Sequence, residues 1–378
     1  MDTLKIISFN VGTTHLMHFN KRLLSPFGET DKDRKKRSDK IKFEILNKVN
    51  KKNIDFVCIQ EGFDEIFPKS KKISHLTEVS KYEIKHGFIA NFKSSYLCTY
   101  ANLKKFDVKE NGHFNKQYQK INFNQKTGKG YPCRTQIFDI KNKQTNEDFT
   151  LVNFHGIGSP SFEIREPILK FLTDYLNTYY FKKDVILIGD INTNLNLKKG
   201  IKGEINFSKY VKNNLFEGFE VFPKDDKKKS SYHRFIRNDD MTFTDKPKSD
   251  RYDCLDYCLL KSHKKHKVSV ERLPKGFKKM EVPYKLNSKT DTLEPNFNDF
   301  PSDHTLNIYT IKIKPGYISA GKSRKPIKQS RKGKSVGNTP ESLTLSEYYP
   351  EFSYSSTKNS TKKSNSKSLY RKSKKKSV

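Results

Sequence analysis

A short apolar run near the middle of the chain most constrains its fold. Residues 184–188 read Asp-Val-Ile-Leu-Ile, and residues 189–192 read Gly-Asp-Ile-Asn. An apolar run of this length between polar residues predicts a strand buried on both faces of a sheet. Such a strand places the Asp190 carboxylate and the Asn192 amide at its end, at the edge of a core that excludes water. Burial there raises the pKa of a carboxyl, whereas a nearby metal or hydrogen-bond donor holds the carboxyl ionised.

Other strand-like segments also end in a polar residue. We predict such strands at 4–9, 54–61 and 149–154, closing on Asn10, Glu61 and His155 respectively. The last of them forms a hairpin with a strand at 131–140. A strand at 255–260 carries Asp256, and a buried acid is costly unless it has a partner. The final strand covers 306–313.

Two segments between these strands have apolar residues at helical spacing. The first follows a polar loop at 20–37, has Ser38 as its N-cap and uses Ile41, Ile45, Leu46 and Val49. The second begins near Pro167 and includes Leu169, Leu172 and Leu176. Elsewhere we predict strands at 86–92, 96–100 and 268–273 and a long loop from 101 to 130, and 195–250 shows no clear pattern. Strands alternating with helices predict an α/β fold.

The charge of the chain indicates a polyanionic partner. Its 378 residues contain 75 Lys and Arg against 42 Asp and Glu, a net charge of +33. A field of this sign attracts nucleic acid or an anionic membrane surface. An AT-rich coding sequence is the alternative explanation of abundant lysine, but it explains the excess over acids less well.

The composition changes at residue 315. Residues 315–378 contain 16 Lys and Arg but only 3 acids, and they are rich in Ser and Thr. A segment with so few apolar residues cannot bury a core, so we expect a disordered basic tail after a catalytic domain at 1–314. The tail either solubilises the protein or contacts nucleic acid, a targeting partner or an anionic membrane.

The N-terminus enters strand-like sequence at once and has no signal-peptide pattern. No run of 18 apolar residues occurs, so we expect no membrane-spanning segment. Five scattered cysteines favour reduced thiols. We therefore expect an intracellular protein, cytoplasmic or nuclear, and a monomer.

Eight polar residues end or interrupt apolar strands, and a sheet brings its strand ends together. They are Asn10, Glu61, His155, Asp190, Asn192, Asp256, Asp303 and His304. Carboxylate and amide oxygens are hard ligands suited to Mg²⁺ or Mn²⁺. A carboxylate beside a histidine fixes its tautomer and favours its charged form. The set therefore predicts metal-assisted hydrolysis of a phosphate ester.

The order of these motifs resembles the endonuclease/exonuclease/phosphatase superfamily, which has the DNase I-like fold. The resemblance spans roughly residues 3–313 and rests on Ser8-Phe9-Asn10, Ile59-Gln60-Glu61, Asn153-Phe154-His155, Gly189-Asp190-Ile191-Asn192, Leu255-Asp256-Tyr257 and Ser302-Asp303-His304. It implies a four-layer α/β sandwich, in which two packed mixed β-sheets are flanked by helices and the site lies at one edge.

The resemblance also implies a role for each residue. Glu61 is the principal metal ligand, with Asn10 and Asp303 nearby. Asp190 activates the attacking water and Asn192 orients it. His304, paired with Asp256, binds and polarises the scissile phosphate, and His155 lies on the leaving-group side.

Three departures from the motifs of other members limit which members of the superfamily this chain resembles. His155 stands where apurinic endonucleases have tyrosine, and Asp256-Tyr257 lacks the Asp-Arg of the inositol phosphatases. Cys254 stands where many members have arginine, and Arg251 is a candidate substitute. These features favour members like DNase I, deadenylases, tyrosyl-DNA phosphodiesterases or sphingomyelinases.

The leading hypothesis is a Mg²⁺-dependent nuclease that hydrolyses phosphodiester bonds. Arg134, in the segment 128–134, is a candidate for binding the substrate beside the groove. The alternatives are a phosphoinositide phosphatase or sphingomyelinase-like lipid phosphodiesterase, and a catalytically idle protein that only binds nucleic acid.

Overall fold

The computed structural model consists of two mixed β-sheets packed face to face with helices outside them. The structure describes residues 3–12, 31–84, 95–121, 131–158, 162–198, 202–224, 231–233, 236–237, 243–244, 251–273, 284–287, 292–295, 302 and 304–317. The predicted tail and the predicted strand at 86–92 therefore lie outside the described residues, apart from the first residues of the tail, 315–317, which continue the last strand.

The first sheet has seven strands in the order β16-β19-β1-β2-β5-β4-β3. Their bounds are Leu4–Asn10 (β1), Phe56–Gly62 (β2), Lys72–Ile73 (β3), Leu76–Ile84 (β4), Ser95–Ala101 (β5), Lys264–Leu273 (β16) and Leu306–Tyr317 (β19). Strands β1 and β2 are parallel, and the other pairs are antiparallel.

The second sheet has six strands in the order β10-β15-β9-β8-β7-β6. Their bounds are Phe106–Glu110 (β6), Thr135–Asn142 (β7), Asp148–His155 (β8), Asp184–Asp190 (β9), Glu220–Phe222 (β10) and Asp256–Lys261 (β15). Strands β8 and β9 are parallel, so their carboxyl ends lie side by side.

Short strand pairs and four helices complete the described elements. The strand pairs are Ser231–His233 (β11) with Arg251–Asp253 (β14), Ile236–Arg237 (β12) with Phe243–Thr244 (β13), and Tyr284–Asn287 (β17) with Thr292–Pro295 (β18). The helices are Asp31–Lys52 (α1), His113–Gln119 (α2), Phe162–Tyr179 (α3) and Lys202–Tyr210 (α4). A 3-10 turn covers Asp64–Ile66, and a π turn, Val211–Leu215, extends α4.

The apolar alternation of the strands builds the core between the sheets. Ile6 and Cys58 of the first sheet pack in one buried cluster with Leu151, Ile186 and Ile188 of the second. All seven residues of β9 are buried, as the sequence predicts for a strand covered on both faces. The hydrophobic effect thus fixes the two sheets against each other directly beneath their carboxyl ends.

Helices cover the outer faces. Ile41, Ile45 and Val49 of α1 pack on the outer face of the first sheet, against residues such as Phe9. Ile168 and Leu169 of α3 lie beside Phe154 of β8, on the outer face of the second sheet. The predicted four-layer α/β sandwich is therefore confirmed.

Several predicted boundaries and assignments are wrong. Helix α1 begins at Asp31, so Ser38 lies inside it and donates to the Glu65 carbonyl instead of capping the helix. Charged residues form helix well, and the buried Arg37 ties this part of α1 to the core. Leu46 is 42 % exposed because it lies off the apolar stripe.

The other corrections concern irregular segments. Helix α3 begins at Phe162 and holds Pro167 inside it rather than at its start. The predicted loop from 101 to 130 contains β6 and α2, which have too few apolar residues to show a clear period. Strand β4 was not predicted, because its burial is partial and its sequence is mostly polar.

Gly189 is required by the close approach of β8 and β9. Its φ is +138°, and a Cβ there would collide with the main-chain carbonyl of Phe154. A side chain would therefore both strain the backbone and push apart the two strands that carry His155 and Asp190.

We predict that Gly189→Ala lowers the free energy of unfolding by about 2–4 kcal/mol, measured by urea denaturation. The matched control is Gly112→Ala, because Gly112 has φ −74° and no atom lies within 4 Å of the added Cβ. The control is expected to change stability by less than about 0.5 kcal/mol. Equal effects of the two variants would contradict the steric explanation.

Candidate active site

The sheets bring most of the predicted site residues to one edge. Asn10, His155 and Asp190 are the last residues of β1, β8 and β9, and Glu61 is next to last in β2. Asp256 begins the antiparallel strand β15 directly opposite Asp190. His304 precedes β19, and Asn192 follows β9. Asp303 lies outside the described residues, so its role as a metal ligand stays a prediction.

The Asp190 carboxylate is the centre of this group. Its Oδ2 accepts hydrogen bonds from Asn10 Nδ2 at 2.9 Å and Asn192 Nδ2 at 3.1 Å, and its Oδ1 accepts one from the Asn192 main-chain N–H at 2.7 Å. The same Oδ2 lies 3.9 Å from His155 Nε2 and 3.8 Å from His304 Nε2. Asp190 therefore lies between two imidazoles.

Burial raises the pKa of Asp190 to about 7, against the opposing effect of His304. The neighbouring Asp256 raises it further, and the donors Asn192 and Asn10 lower it. Of the two opposing effects that the sequence left open, burial and hydrogen-bond donors, burial is the larger. A carboxyl that gains and loses its proton near neutrality is suited to accept a proton from water.

His304 is oriented by Asp256. His304 Nδ1 lies 3.0 Å from Asp256 Oδ2, and both side chains are buried. Donation from Nδ1–H to the carboxylate directs Nε2 toward Asp190. The predicted acid–histidine pair is thus present, and it joins the second sheet to the first.

His155 has a different environment from His304. Its Nε2 lies 3.1 Å from Glu61 Oε1, and its Nδ1 is buried with no hydrogen-bond partner in the described part of the chain. Burial lowers the pKa of His155, and the nearby Arg134 lowers it further, against the opposing effect of Glu61. The two histidines of the site are therefore held in different ways.

Glu61 and Asn192 both have left-handed backbone conformations, with φ of 51° and 52°. The register of β2 against β5 shifts between Ile59 and Gly62, which is a bulge that aims the Glu61 side chain. A left-handed glutamate costs about 1–2 kcal/mol, whereas asparagine tolerates this conformation better. Strained residues of this kind concentrate at functional sites.

A buried amide network lies directly beneath the site. Gln60 Nε2 donates to Asn153 Oδ1 at 2.7 Å, Asn153 Nδ2 donates to Gln136 Oε1 at 3.0 Å, and Gln136 Nε2 donates to Ser80 Oγ at 2.7 Å. Gln60 precedes Glu61, and Asn153 lies two residues before His155. A satisfied buried network fixes one arrangement of the two sheets, and with it the separation of these two side chains.

Three arginines hold main-chain carbonyls of the site loops. Arg37 Nη1 donates to Val11 O at 3.0 Å, Arg165 Nη1 to Asn192 O at 3.0 Å, and Arg272 Nη2 to Asp256 O at 2.9 Å. Sequence reasoning missed all three. A signal existed only for Arg272, because it falls where the alternation of β16 predicts an inward-facing apolar residue.

Arg134 lies near Glu61 and Asp190, and its predicted role in binding the substrate stays a prediction. Its carbonyl accepts the His155 main-chain N–H at 2.9 Å, and Glu61 and Asp190 act on its guanidinium, opposing the lowering of its pKa by burial. Its Nε is buried without a hydrogen-bond partner among the described residues. Arg251 belongs to β14, but its side chain lies outside the described structure, so its predicted role stays a prediction.

The donor set suits a magnesium ion. Mg²⁺ is usually bound by one or two carboxylates together with waters and substrate phosphate. Glu61 supplies a carboxylate, and Asn10 Oδ1 accepts one hydrogen bond, from Gly12 N–H, which leaves a second lone pair. Within the described residues no group of three or more His, Cys, Asp and Glu side chains forms a metal cage.

Comparison with known proteins gives matches only among solved structures. No protein family model and no curated protein sequence matches the chain. The human Nocturnin catalytic domain is 13 % identical, with a TM-score of 0.47 over 83 % of this chain and 97 % of that one. An endonuclease/exonuclease/phosphatase family protein from Bacteroides thetaiotaomicron is 13 % identical, with a TM-score of 0.49 over 82 % and 98 %.

A third similar structure is D. rerio TDP2 complexed with single-strand DNA product, 13 % identical with a TM-score of 0.46 over 82 % of this chain and 99 % of that one. The superfamily predicted from the sequence is the one that the description of the Bacteroides protein names. At these identities and scores the similarities say nothing about the reaction of this chain.

No helix in the described residues is long and apolar enough to cross a bilayer. All five cysteines are buried thiols.

The raised pKa of Asp190 predicts a specific pH dependence of stability. A carboxyl whose pKa is about 7 in the folded protein and near 4 in the unfolded chain binds its proton more tightly when folded. Its contribution to stability therefore decreases as the pH rises from about 4 to about 7. In EDTA, the free energy of unfolding of wild type should fall relative to that of Asp190→Asn over this interval, by more than about 1 kcal/mol.

Urea denaturation at half-unit pH intervals measures this difference. Val268→Ala, which removes no titratable group, is the control, and its free energy of unfolding should stay parallel to that of wild type over the same interval. A constant difference between wild type and Asp190→Asn would contradict the raised pKa.

Proposed function

We propose that this protein is a hydrolase of phosphoric esters, and that its substrate is nucleic acid. The observation that supports the reaction most is the Asp190 carboxylate held between Asn10, Asn192 and the Asp256-bound His304 at the joint edge of two sheets. A proton acceptor, a positioned donor and hard oxygen ligands are the groups that phosphate ester hydrolysis needs.

Each residue has a defined task in this proposal. Asp190 accepts a proton from the attacking water, whose oxygen forms the new P–O bond as the ester P–O bond breaks. Asn192 orients that water, and His304, fixed by Asp256, donates to a phosphate oxygen. His155 lies beside Glu61 on the leaving-group side, and the departing oxygen takes up a proton from solvent water. Glu61 and Asn10, with Asp303, would hold Mg²⁺, which as a Lewis acid polarises the phosphate.

Arg134 supports an anionic substrate. Its guanidinium lies near Glu61 and Asp190 and keeps a buried N–H without a partner in the described structure, and we assign it a hydrogen bond to a phosphate oxygen of the substrate. Phosphate contacts of this kind position a nucleic-acid backbone without reading its sequence.

The charge of the whole chain favours nucleic acid as the source of the phosphate. A net charge of +33 makes backbone binding strong and steeply dependent on salt. The basic tail extends this property, and contact of the tail with an anionic membrane is the alternative. A phosphoinositide or sphingomyelin substrate is therefore an outcome to be tested beside DNA and RNA.

One experiment separates these possibilities. The protein is incubated with supercoiled plasmid, single-stranded RNA, 5′-tyrosyl DNA, a phosphoinositide and sphingomyelin, each with Mg²⁺ or with EDTA. We expect cleavage of a nucleic acid only with Mg²⁺. If only the lipids are cleaved, the proposal that nucleic acid is the substrate is wrong. If none of these esters is cleaved, the proposal that the protein is a phosphoric ester hydrolase is wrong.

His304→Ala and Asp190→Asn are each expected to lower kcat by about 10²–10⁴-fold, because they remove the phosphate donor and the proton acceptor. His113→Ala is the matched control, since His113 contacts Tyr175 and Gln117 outside the site. Retention of wild-type kcat by either site variant would contradict the assigned roles.

Arg134→Ala is expected to lower kcat/KM by about 10–100-fold through the loss of a charge-assisted phosphate contact. Lys183→Ala removes the same charge at the opposite end of β9, where Lys183 pairs with Asp139, and serves as the control. If both variants change kcat/KM equally, Arg134 contributes only to the general field of the protein.

A further inference from the structure

Arg272 occupies an unusual position on β16. Val270 and Val268, two and four residues before it, pack against the core between the sheets, so the alternation of the strand directs Arg272 inward as well. Its Nη2 donates to the Asp256 carbonyl at 2.9 Å and lies 3.5 Å from Cys254 Sγ. Its Nε and Nη1 are buried and have no hydrogen-bond partner in the described part of the chain.

Stability alone does not account for an arginine here. Two unsatisfied buried donors destabilise the folded state, and an apolar side chain of similar length would fill the same space without that cost. A residue that violates the local pattern without a gain in stability is expected at a functional site.

Arg272 and His304 reach Asp256 from the same sheet. Strands β16 and β19 are paired, with Arg272 opposite Asn307, and His304 immediately precedes β19. Asp256 belongs to the other sheet, where it begins β15. His304 contacts the Asp256 side chain and Arg272 contacts its main-chain carbonyl, so the residue is held at two points from across the interface.

We infer that Arg272 is a positioning residue for the reaction: it holds the start of β15 so that Asp256 Oδ2 stays on His304 Nδ1. This inference rests on the hydrolase proposed above. In this inference Arg272 acts through its contact with the Asp256 carbonyl. Cys254, one residue before Leu255, has a small side chain that leaves room for the guanidinium against β15.

The test is a double-mutant cycle on activity. Arg272→Met is expected to lower kcat about 10–100-fold and to leave KM unchanged within about twofold. In an Asp256→Asn background the same substitution should lower kcat by less than about threefold, because its target is already lost. Arg272→Lys, which keeps a donor and a charge, should recover most of the lost kcat. An equal loss in both backgrounds would show a structural role and overturn the inference.

Val268→Ala is the control on the same strand. It weakens the packing of β16 but keeps the guanidinium, so it should lower the midpoint of urea unfolding without lowering kcat more than about twofold. A loss of kcat as large as that of Arg272→Met would mean that any loosening of β16 has this effect, which would also overturn the inference.

A second measurement does not depend on activity. In urea denaturation, the effect of Arg272→Met on the unfolding equilibrium constant should differ by about tenfold between the wild-type and the Asp256→Asn backgrounds. If wild type cleaves no phosphate ester, the proposed function fails and this cycle still decides whether Arg272 acts on Asp256. If the effect of the double substitution on the unfolding equilibrium constant equals the product of the two single effects within about twofold, the inference is overturned.

Discussion

The most demanding feature of this protein is a carboxylate inside a core from which water is excluded. Asp190 ends a strand whose seven residues are all buried, and an isolated charge there would be costly. Two directed donors offset this cost, Asn10 Nδ2 from the first sheet and Asn192 from the loop after β9, and the imidazoles of His155 and His304 lie 3.9 and 3.8 Å from the same carboxylate oxygen. The opposed effects of burial and of these donors leave the carboxyl titrating near neutrality. The positions of the neighbouring strands follow from this requirement.

The positively charged residues beside the site are arginines that make specific hydrogen bonds, and they differ in this respect from the lysines of the surface. The excess of basic residues gives the whole chain a net charge of +33, whose field acts at a distance. The arginines Arg37, Arg165 and Arg272 are buried at least in part, and each donates to the main-chain carbonyl of a site residue or of its immediate neighbour. A planar guanidinium with several fixed donors suits this task better than a flexible ammonium. The lysines therefore contribute to the long-range field of the protein, and these three arginines fix the main-chain geometry of the site.

Much of the fold and site could be predicted from sequence because their signals are local. Four buried strands can be recognised from short apolar runs that end at or next to a polar residue. These polar residues are Asn10, Glu61, His155 and Asp190. The meeting of these ends follows from parallel pairing within each sheet.

The remaining features depend on distant contacts. Whether Asp256 has a partner depends on His304, 48 residues away. The contact of Cys254 with Arg272 likewise joins residues that are 18 positions apart. The left-handed conformation of Glu61 has no local signal either, since glutamate rarely adopts it and only the bulge in β2 requires it. Helix α2 and strand β6 were missed because their apolar residues are too few to show a period.

Strand β16 lies at the edge of the first sheet, and Lys265 and Lys267 are exposed on it. Lysines on an edge strand discourage pairing with another chain, so they protect the strand that carries Arg272. Edge strands also open before central ones, at a lower free energy than global unfolding. Local opening of β16 therefore separates Arg272 from the Asp256 carbonyl before the central strands of the sheet unfold.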